Sequence, residues 1–234
     1  MPSKRYQQAA KLVDRTTPYP LEEAVTVLQQ LPKAKFDETV EVSVSLDLDP
    51  KMADQSVRGT LVLPHGTGKT RRVVAFCKGE KALQAKQAGA DHVGTNELVE
   101  KIQQGWLEFD VAVATPDLMR DVSRLGKILG PRGLMPNPKA GTVTDDVAKA
   151  VTEVKSGRVE FKMDKLANLH VVIGKLSFQA AQLVENAKAL LTAIVRARPS
   201  GAKGQWVRRV CLSSTMSPGL AIEMAPFIED HQEE

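Results

Sequence analysis

A glycine-rich segment, His65-Gly66-Thr67-Gly68-Lys69-Thr70, contains residue types that can hold phosphate groups. In a P-loop, backbone N–H groups, a lysine and a threonine bind the phosphates and the magnesium ion of a nucleotide. That motif also requires a glycine at the position where this chain has Leu63. The spacing therefore disfavours a P-loop and favours an interdomain hinge, while a nucleotide-binding enzyme built on the middle of the chain is the main alternative.

The other reactive side chains do not form a catalytic or metal-binding pattern. The four histidines and two cysteines have no ligand-like spacing, and no nucleophile motif of the G-x-S-x-G type is present. Gly126, Gly130 and Gly133 do not form the glycine fingerprint of dinucleotide-binding folds. Cys77 and Cys211 lie in apolar, strand-like segments, which predicts buried free thiols. We therefore expect no enzyme activity, no cofactor and no metal site.

The charge distribution hints at a polyanionic partner. The net charge is +4 and the isoelectric point is about 9.0, which weakly favours nucleic acid. Lys and Arg nevertheless form no basic tail, and the pairs Arg71-Arg72 and Arg208-Arg209 also fit a solvated strand face. If the partner is nucleic acid, bulk charge is not the main means of recognition.

The sequence shows no targeting or membrane segment. No apolar run approaches the ~20 residues that a membrane span requires. The residues after Met1 also lack the apolar region of a signal peptide. We therefore expect a soluble, cytoplasmic protein.

Residues 130–141, with the sequence GPRGLMPNPKAG, form the most distinctive segment. Three prolines and three glycines restrict the backbone at some positions and open unusual conformations at others, so the loop should hold one shape. The segment also carries apolar Leu134 and Met135 and the cations Arg132 and Lys139. A rigid connector between a helix and a strand and a loop shaped against a partner are both consistent with this composition.

Two hydrophobic patterns alternate along the chain. Period-two alternation predicts half-buried antiparallel strands towards both chain ends, whereas the middle has short apolar strands separated by helices. The predicted strands cover residues 39–48, 57–63, 72–77, 92–93, 109–114, 142–144, 158–163, 169–173 and 205–213. The predicted helices cover residues 20–34, 80–88, 96–104, 117–129, 145–155 and 178–197. Thr95, Thr144 and Ser177 are the candidate N-caps and Gly157 is the candidate C-cap.

The change of hydrophobic pattern along the chain predicts two domains. Residues 1–67 and 158–234 are expected to form a discontinuous α+β domain. Residues 68–157 are expected to form an inserted α/β domain with a small parallel sheet that is covered on both faces. Within the first domain, residues 158–163 and 169–173 flank a turn and should form a hairpin.

Four blocks of sequence, taken in order, carry a resemblance to a known family. They are residues 35–42 (KFDETVEV), residues 57–69 (VRGTLVLPHGTGK), residues 130–141, and residues 201–204 (GAKG) with 213–216 (SSTM). Together they resemble bacterial large-subunit ribosomal protein L one over nearly the whole chain. The resemblance implies an α+β sandwich formed by both chain ends, with an inserted Rossmann-like α/β domain.

The resemblance also implies a function. Such a protein binds the side stalk of large-subunit rRNA near the exit site and assists the release of deacylated tRNA. Family members also repress translation by binding their own messenger RNA. The implied partners are therefore the rRNA side stalk, exit-site tRNA, the leader of its own mRNA and other ribosomal components, and away from the ribosome the protein is expected to be a monomer.

The matching positions imply an RNA-binding site in the domain formed by the chain ends. Structured RNA is recognised through its shape, phosphates and 2′-hydroxyls, which small hydroxyls and carboxylates can approach closely. The implied RNA-binding residues are Lys35, Phe36, Thr39, Glu41, Ser213, Thr215, Met216 and Ser217. Arg132, Lys139, Gly66 and Gly68 are expected to be accessory or interdomain residues. Core packing of Phe36, and an ordinary exposed strand face for Thr39 and Glu41, fit the sequence equally well.

Two positions depart from the usual family pattern, because Ser217 and Ala167 stand where glycine is common. If close approach of RNA requires an absent side chain or a positive φ at residue 217, Ser217 should lower the affinity. Ala167 leaves open the geometry of the turn at residues 164–168.

Overall fold

The computed structural model describes residues 3–14, 16–202, 204–225 and 227, without the side chains of Ala53 and Lys139. Its contacts divide the chain into two compact units. Unit one contains residues 1–68 and 159–234, and unit two contains residues 69–158. The elements mix helices with several sheets, which confirms the predicted mixed α/β class. Separate roles for two domains stay a prediction.

The helices and strands are numbered in chain order. The strands are β1 (Thr39–Leu46), β2 (Arg58–Val62), β3 (Val73–Phe76), β4 (His92–Gly94), β5 (Val111–Ala114), β6 (Arg158–Lys162), β7 (Asn168–Lys175), β8 (Val207–Ser214) and β9 (Leu220–Ile222). The α-helices are α1 (Lys4–Leu12), α2 (Leu21–Gln30), α3 (Glu80–Gln87), α4 (Asn96–Gln103), α5 (Met119–Val122), α6 (Gly126–Leu129), α7 (Val147–Lys155) and α8 (Ala180–Arg196). Short 3-10 turns cover Ala53–Gln55, Pro116–Leu118, Ser123–Leu125 and Pro138–Ala140.

Unit one is built on an antiparallel sheet with the strand order β7-β1-β8-β9. In β1, Val40, Val42, Val44 and Leu46 are buried, whereas the alternate positions are half-buried. The buried side chains pack with the apolar faces of α2 and α8 into one core. Because side chains alternate across a strand, this packing leaves a polar face on the other side of the sheet.

The predicted hairpin of residues 158–163 and 169–173 is wrong. The strand β6 pairs with β2, and β7 pairs with β1 in the larger sheet. The turn between them exists, because the Asp164 carboxylate accepts hydrogen bonds from the backbone N–H groups of Leu166 and Asn168 at 2.8 and 2.7 Å. Period-two alternation identifies strands but not their partners, so proximity in sequence is the only local guide to pairing and it fails here.

Unit two contains a three-stranded parallel sheet with the order β4-β3-β5. Two separate apolar clusters lie against β3 and β5, one formed with α3 and α7 and the other with α4, α5 and α6. The prediction of a small parallel sheet covered on both faces is therefore confirmed. Residues 142–144 were predicted as a further strand, but they make only an isolated bridge between Val143 and Ala114.

Three helices differ from their predictions in where they begin or in whether they are continuous. The predicted helix at residues 117–129 is broken into 3-10 and α segments. The helix α7 is capped by the Asp146 side chain rather than by Thr144. The helix α8 begins after Gln179, whose side chain forms a capping box with Gln182, while the Ser177 hydroxyl donates to the Asp37 carboxylate at 2.9 Å.

Among the described residues, no helix has the length and apolar character needed to cross a bilayer. Within that part of the chain, no group of His, Cys, Asp and Glu side chains is arranged to hold a metal ion. Cys77 is buried, and burial raises the pKa of its thiol. Cys211 is only half-buried, because it lies on the polar face of β8, so the prediction of a buried thiol is right for Cys77 alone.

Candidate nucleic-acid interface

Two segments that are far apart in sequence meet at one end of the unit-one sheet. The backbone N–H of Thr215 donates to the Thr39 carbonyl at 3.0 Å. The Thr39 N–H in turn donates to the Thr215 hydroxyl at 3.0 Å. The register of β1 and β8 places Glu41 opposite Ser213 next to this pair. The fold therefore brings the predicted residues Thr39, Glu41, Ser213 and Thr215 into one surface.

The carboxylate of Glu38 holds the two segments together. One oxygen accepts hydrogen bonds from the Ser214 hydroxyl at 2.6 Å and from the Met216 N–H at 3.0 Å. The other oxygen accepts from the Ala34 N–H at 2.8 Å and lies 3.5 Å from the Arg5 guanidinium. Glu38 is only 2% exposed. A buried carboxylate is stable only when its lone pairs are satisfied, and here each oxygen has partners.

The protonation of Glu38 follows from this balance. Burial by itself would raise the pKa of the carboxyl group, because it disfavours the charged form. The hydrogen bonds from Ser214, Ala34 and Met216, with the charge of Arg5, act in the opposite direction and hold the pKa of Glu38 below its usual value. Glu38 is therefore ionised at neutral pH.

Arg5 and Lys175 donate further hydrogen bonds to the two segments that Glu38 joins. The Arg5 guanidinium donates to the carbonyls of Pro32 and Met216 at 3.0 and 3.1 Å. The Lys175 ammonium group donates to the Thr39 hydroxyl at 2.7 Å. These contacts fix the backbone on either side of Glu38, so the surface has its shape before any ligand arrives.

Phe36 and Met216 are exposed members of the surface. Their side chains are 54% and 50% exposed, although both are large and apolar. Lys35 is also exposed. The core-packing interpretation of Phe36 is therefore wrong. An apolar side chain that stays exposed on a loop held by hydrogen bonds is a candidate for direct contact with a partner.

Ser217 lies within this surface and has a structural role. Its hydroxyl accepts a hydrogen bond from the Ser214 N–H at 2.8 Å and donates to the Pro218 carbonyl at 3.0 Å. Among described residues other than glycine, only Ala167 has a positive φ, at 60°. The backbone at Ser217 therefore does not require glycine, whereas the backbone at Ala167 is in the left-handed region that favours it.

The open face of the sheet extends the surface with more polar groups. Ser43 lies beside Glu41 on β1, and its hydroxyl lies 3.0 Å from Nδ1 of His170 on β7. Ser45 pairs with Arg209 on β8. This face thus offers hydroxyls and single charges in place of a dense basic patch.

Residues 28–218 match a protein-family model with the description "Ribosomal protein L1p/L10e family". The match spans most of the chain and includes both segments of the candidate surface. The chain belongs to this family. It is therefore a ribosomal protein of the large subunit that binds rRNA and acts in translation. Because this is a family of structural ribosomal proteins, the chain is not an enzyme.

The local structure also excludes the P-loop alternative for this family member. Thr70 is followed by the strand β3 and not by the helix that a P-loop opens. The Lys69 ammonium group lies 3.3 Å from the Asp110 carboxylate. The Gly66 N–H already donates to the Leu63 carbonyl at 3.1 Å. These groups are already engaged, so they do not form a phosphate cradle.

The predicted accessory residues are divided between the two units. Gly66 and Gly68 have φ values of 65° and 71° and lie at the edge of unit one. A Cβ at Gly68 would lie only 2.8 Å from the Phe178 ring, which explains the need for glycine there. Arg132 is exposed in unit two. The side chain of Lys139 lies outside the described part of the chain.

The sequence interpretation missed Glu38 as a functional residue. Glu38 has the same parity as Val40, Val42 and Val44, so the alternation of β1 already placed it on the buried side. A carboxylate in phase with core valines must find several donors. That signal could have identified Glu38, whereas the contributions of Arg5 and Lys175 depend on tertiary contacts that no local pattern encodes.

Proposed function

We propose that unit one binds the side stalk of large-subunit rRNA, near the exit site, through residues 35–41 and 213–217. The observation that carries this proposal is the buried Glu38 carboxylate, which joins the two segments beside exposed Phe36 and Met216. A rigid surface that needs no rearrangement binds at a lower entropic cost. The family membership supports RNA as the partner.

The chemistry of the surface suits structured RNA. The minor groove of an RNA helix is wide and shallow and presents 2′-hydroxyls, which both donate and accept hydrogen bonds. The half-buried Glu41 and Ser213 can accept from such groups, and exposed Lys35 can neutralise a phosphate. Phe36 and Met216 supply apolar contact with riboses or bases. Thr39 and Thr215 shape this surface through their mutual hydrogen bonds.

Two further roles belong to the same proposal. Side-stalk binding near the exit site would let the protein assist the release of deacylated tRNA. Binding of a similar RNA fold in its own messenger RNA would make it a translational repressor. Both roles place the protein in the cytoplasm with the ribosome, as a monomer when it is not assembled. Their support is the family membership, together with the resemblance of residues 35–42 and 213–216 to the family's RNA-binding blocks.

The stalk proposal is tested by measuring the affinity of variants for a side-stalk rRNA fragment. Phe36→Ala and Thr215→Val should each weaken binding by about tenfold or more, the loss typical of an interface anchor. The matched controls are Leu12→Ala, which truncates an apolar side chain that is 60% exposed, and Thr26→Val, which alters an exposed threonine of α2. Full-strength binding by both site variants would refute the site assignment.

The two further roles need separate measurements. Ribosomes that lack the protein should release deacylated tRNA from the exit site more slowly than ribosomes to which the protein has been restored. Translation of a reporter behind the protein's own mRNA leader should fall when wild-type protein is added, and should fall much less with Thr215→Val. Equal repression by both proteins would separate the repressor role from this surface.

A further inference from the structure

Unit two carries a row of exposed cations on the broken helical segment of residues 116–129 and on the loop that follows it. We name this row the basic ridge, and it consists of Arg120, Arg124, Lys127 and Arg132. All four residues are exposed. None of them lies in the candidate surface of unit one, so the rRNA-binding site proposed above does not use them.

The ridge follows from the amphipathic pattern of residues 118–129. Leu118, Val122, Leu125 and Leu129 are at most 3% exposed and anchor the segment in the core of unit two. Three- and four-residue spacings put these leucines and the valine on one face of a helical segment. The cations at residues 120, 124 and 127 have the same spacing but lie on the opposite face. The buried anchors thus hold the cations in a row towards solvent.

The loop of residues 130–141 extends the basic ridge to Arg132. Backbone hydrogen bonds join Gly130 to Gly126, Gly133 to Gly130, and Leu134 to Leu129, each at about 3.0 Å. Leu134 and Met135 pack against the same apolar cluster as the helical segment. Arg132 therefore stands on a fixed backbone, and ordering the loop costs little when a ligand binds.

The cations of the ridge are largely free of acidic partners. Asp121 lies 4.0 Å from Arg124, a distance that gives a weak, exposed ion pair. Asp117 is the other carboxylate of the segment, and it is exposed. Arg120, Lys127 and Arg132 have no ion-pair partner among the described residues.

The ridge lies in a segment with an excess of positive charge. Residues 120–139 contain five Lys and Arg and one Asp. Residues 120–139 thus carry a net charge of +4 where the fold presents exposed arginines, and arginine and lysine at a surface attract and bind phosphates.

We propose that the basic ridge is a second RNA-binding surface, which contacts the phosphate backbone of structured RNA without regard to sequence. Arginine suits this role, because its guanidinium group forms two parallel hydrogen bonds with a phosphate. The ridge contains no exposed aromatic side chain for base stacking, so it fits a helical backbone better than single-stranded bases. The proposal does not depend on which residues of unit one bind the side stalk.

The test measures binding of the full chain to an RNA duplex of unrelated sequence, over a range of salt concentrations. The ridge variants are the double substitutions Arg120→Gln with Arg124→Gln and Lys127→Gln with Arg132→Gln. The matched control is Lys86→Gln with Lys149→Gln, which removes two cations from α3 and α7 on the other side of the unit-two sheet. Circular dichroism establishes that each variant is folded.

Each ridge pair should weaken duplex binding by about tenfold at low salt and lower the slope of log affinity against log salt by about two, because each substitution leaves one phosphate without its cation. The control pair should change the affinity by less than about twofold. Equal reductions in ridge and control variants would show bulk charge alone and overturn the proposal, as would unchanged binding by both ridge pairs. Loss of binding to a polyglutamate peptide with unchanged RNA binding would also overturn it, in favour of an acidic protein partner.

Discussion

The two units present opposite kinds of surface. The unit-one surface is organised around a buried carboxylate and exposes hydroxyls and two apolar side chains. The basic ridge of unit two is organised around buried leucines and exposes cations. Contacts to phosphates position a protein on RNA, whereas close contacts in a groove carry specificity. Under the two proposals, unit one recognises a particular RNA shape, whereas the ridge supplies general attraction to RNA.

The cost of building each surface also differs. At the unit-one surface, Glu38 must lose its water and recover four interactions within the protein. This desolvation free energy is spent when the protein folds, so the surface is formed before RNA binds. At the ridge, the cations stay hydrated until a phosphate replaces the water. Mutation of Glu38 should therefore affect folding and binding together, whereas mutation of the ridge cations should affect binding alone.

The largest expected effect is that of Glu38→Ala. The change leaves the Ser214 hydroxyl and the N–H groups of Ala34 and Met216 without their acceptor, so the free energy of unfolding should fall by about 3 kcal/mol. The affinity for a side-stalk fragment should fall on the order of 100-fold, because two segments lose their link. Urea unfolding and filter binding measure both quantities.

The control for that prediction is Glu22→Ala. Glu22 is exposed and pairs with Lys188 at 3.1 Å, and such pairs contribute about 0–1 kcal/mol. If Glu38→Ala were no more destabilising than this control, the buried carboxylate would not organise the surface.

The salt dependence of RNA affinity should distinguish the unit-one surface from the basic ridge. Charge is nearly balanced in unit one, so stalk-fragment affinity of a chain with all four ridge cations changed to Gln should fall by only about tenfold between 50 and 200 mM salt. A protein with 6–10 phosphate contacts would lose about 10³–10⁵ over that range. A decrease of that size in the ridge variant would mean that unit one also binds mainly through charge.

The pH dependence of stability tests the ionised state of Glu38. Its pKa is lower in the folded protein than in the unfolded chain, so the unfolded chain binds the proton more readily. Glu38 therefore stabilises the fold above about pH 4.3, and this contribution is lost as the pH falls through the lower folded pKa. Glu38→Gln should be clearly less stable than wild type at pH 7, and the gap should narrow below about pH 4.

Other carboxyl groups with lowered pKa values affect both proteins equally, so the difference between the two pH curves isolates Glu38. Those groups are Asp14, Asp91, Asp110 and Asp164. A gap that stays constant from pH 7 to pH 3 would contradict the assignment of an ionised Glu38.

The smallest expected effect is that of Ala167→Gly. Ala167 has φ at 60°, and relief of this strain should raise the free energy of unfolding by about 0.5–1 kcal/mol without changing stalk affinity. Thermal or urea unfolding measures the change. Replacement of Ala202, which is half-buried in unit one, by Gly serves as the control and should not stabilise the protein.

The sequence was most informative where a local pattern determines structure. Alternating valines identified β1, and apolar runs between helices identified the parallel sheet of unit two. The pairing of β6 and β7 was predicted wrongly, because strand partners depend on long-range contacts. The short strand β9 and the helix α1 were not predicted, and β9 has only three residues, too few to show an alternation. The same limit applies to the site, where the exposed residues follow motifs but Arg5 and Lys175 act through tertiary contacts.

The most direct test of the central claim compares Met216→Asp with Leu83→Asp. Met216 lies in the unit-one surface, Leu83 lies on α3 of unit two, and their side chains are 50% and 63% exposed. Both changes place a carboxylate where an exposed apolar side chain stood, so neither should unfold the protein. We predict that Met216→Asp weakens binding to the side-stalk rRNA fragment by at least about 30-fold, while Leu83→Asp binds as wild type does. Equal affinities of the two variants would contradict the claim that unit one reads the stalk through this surface.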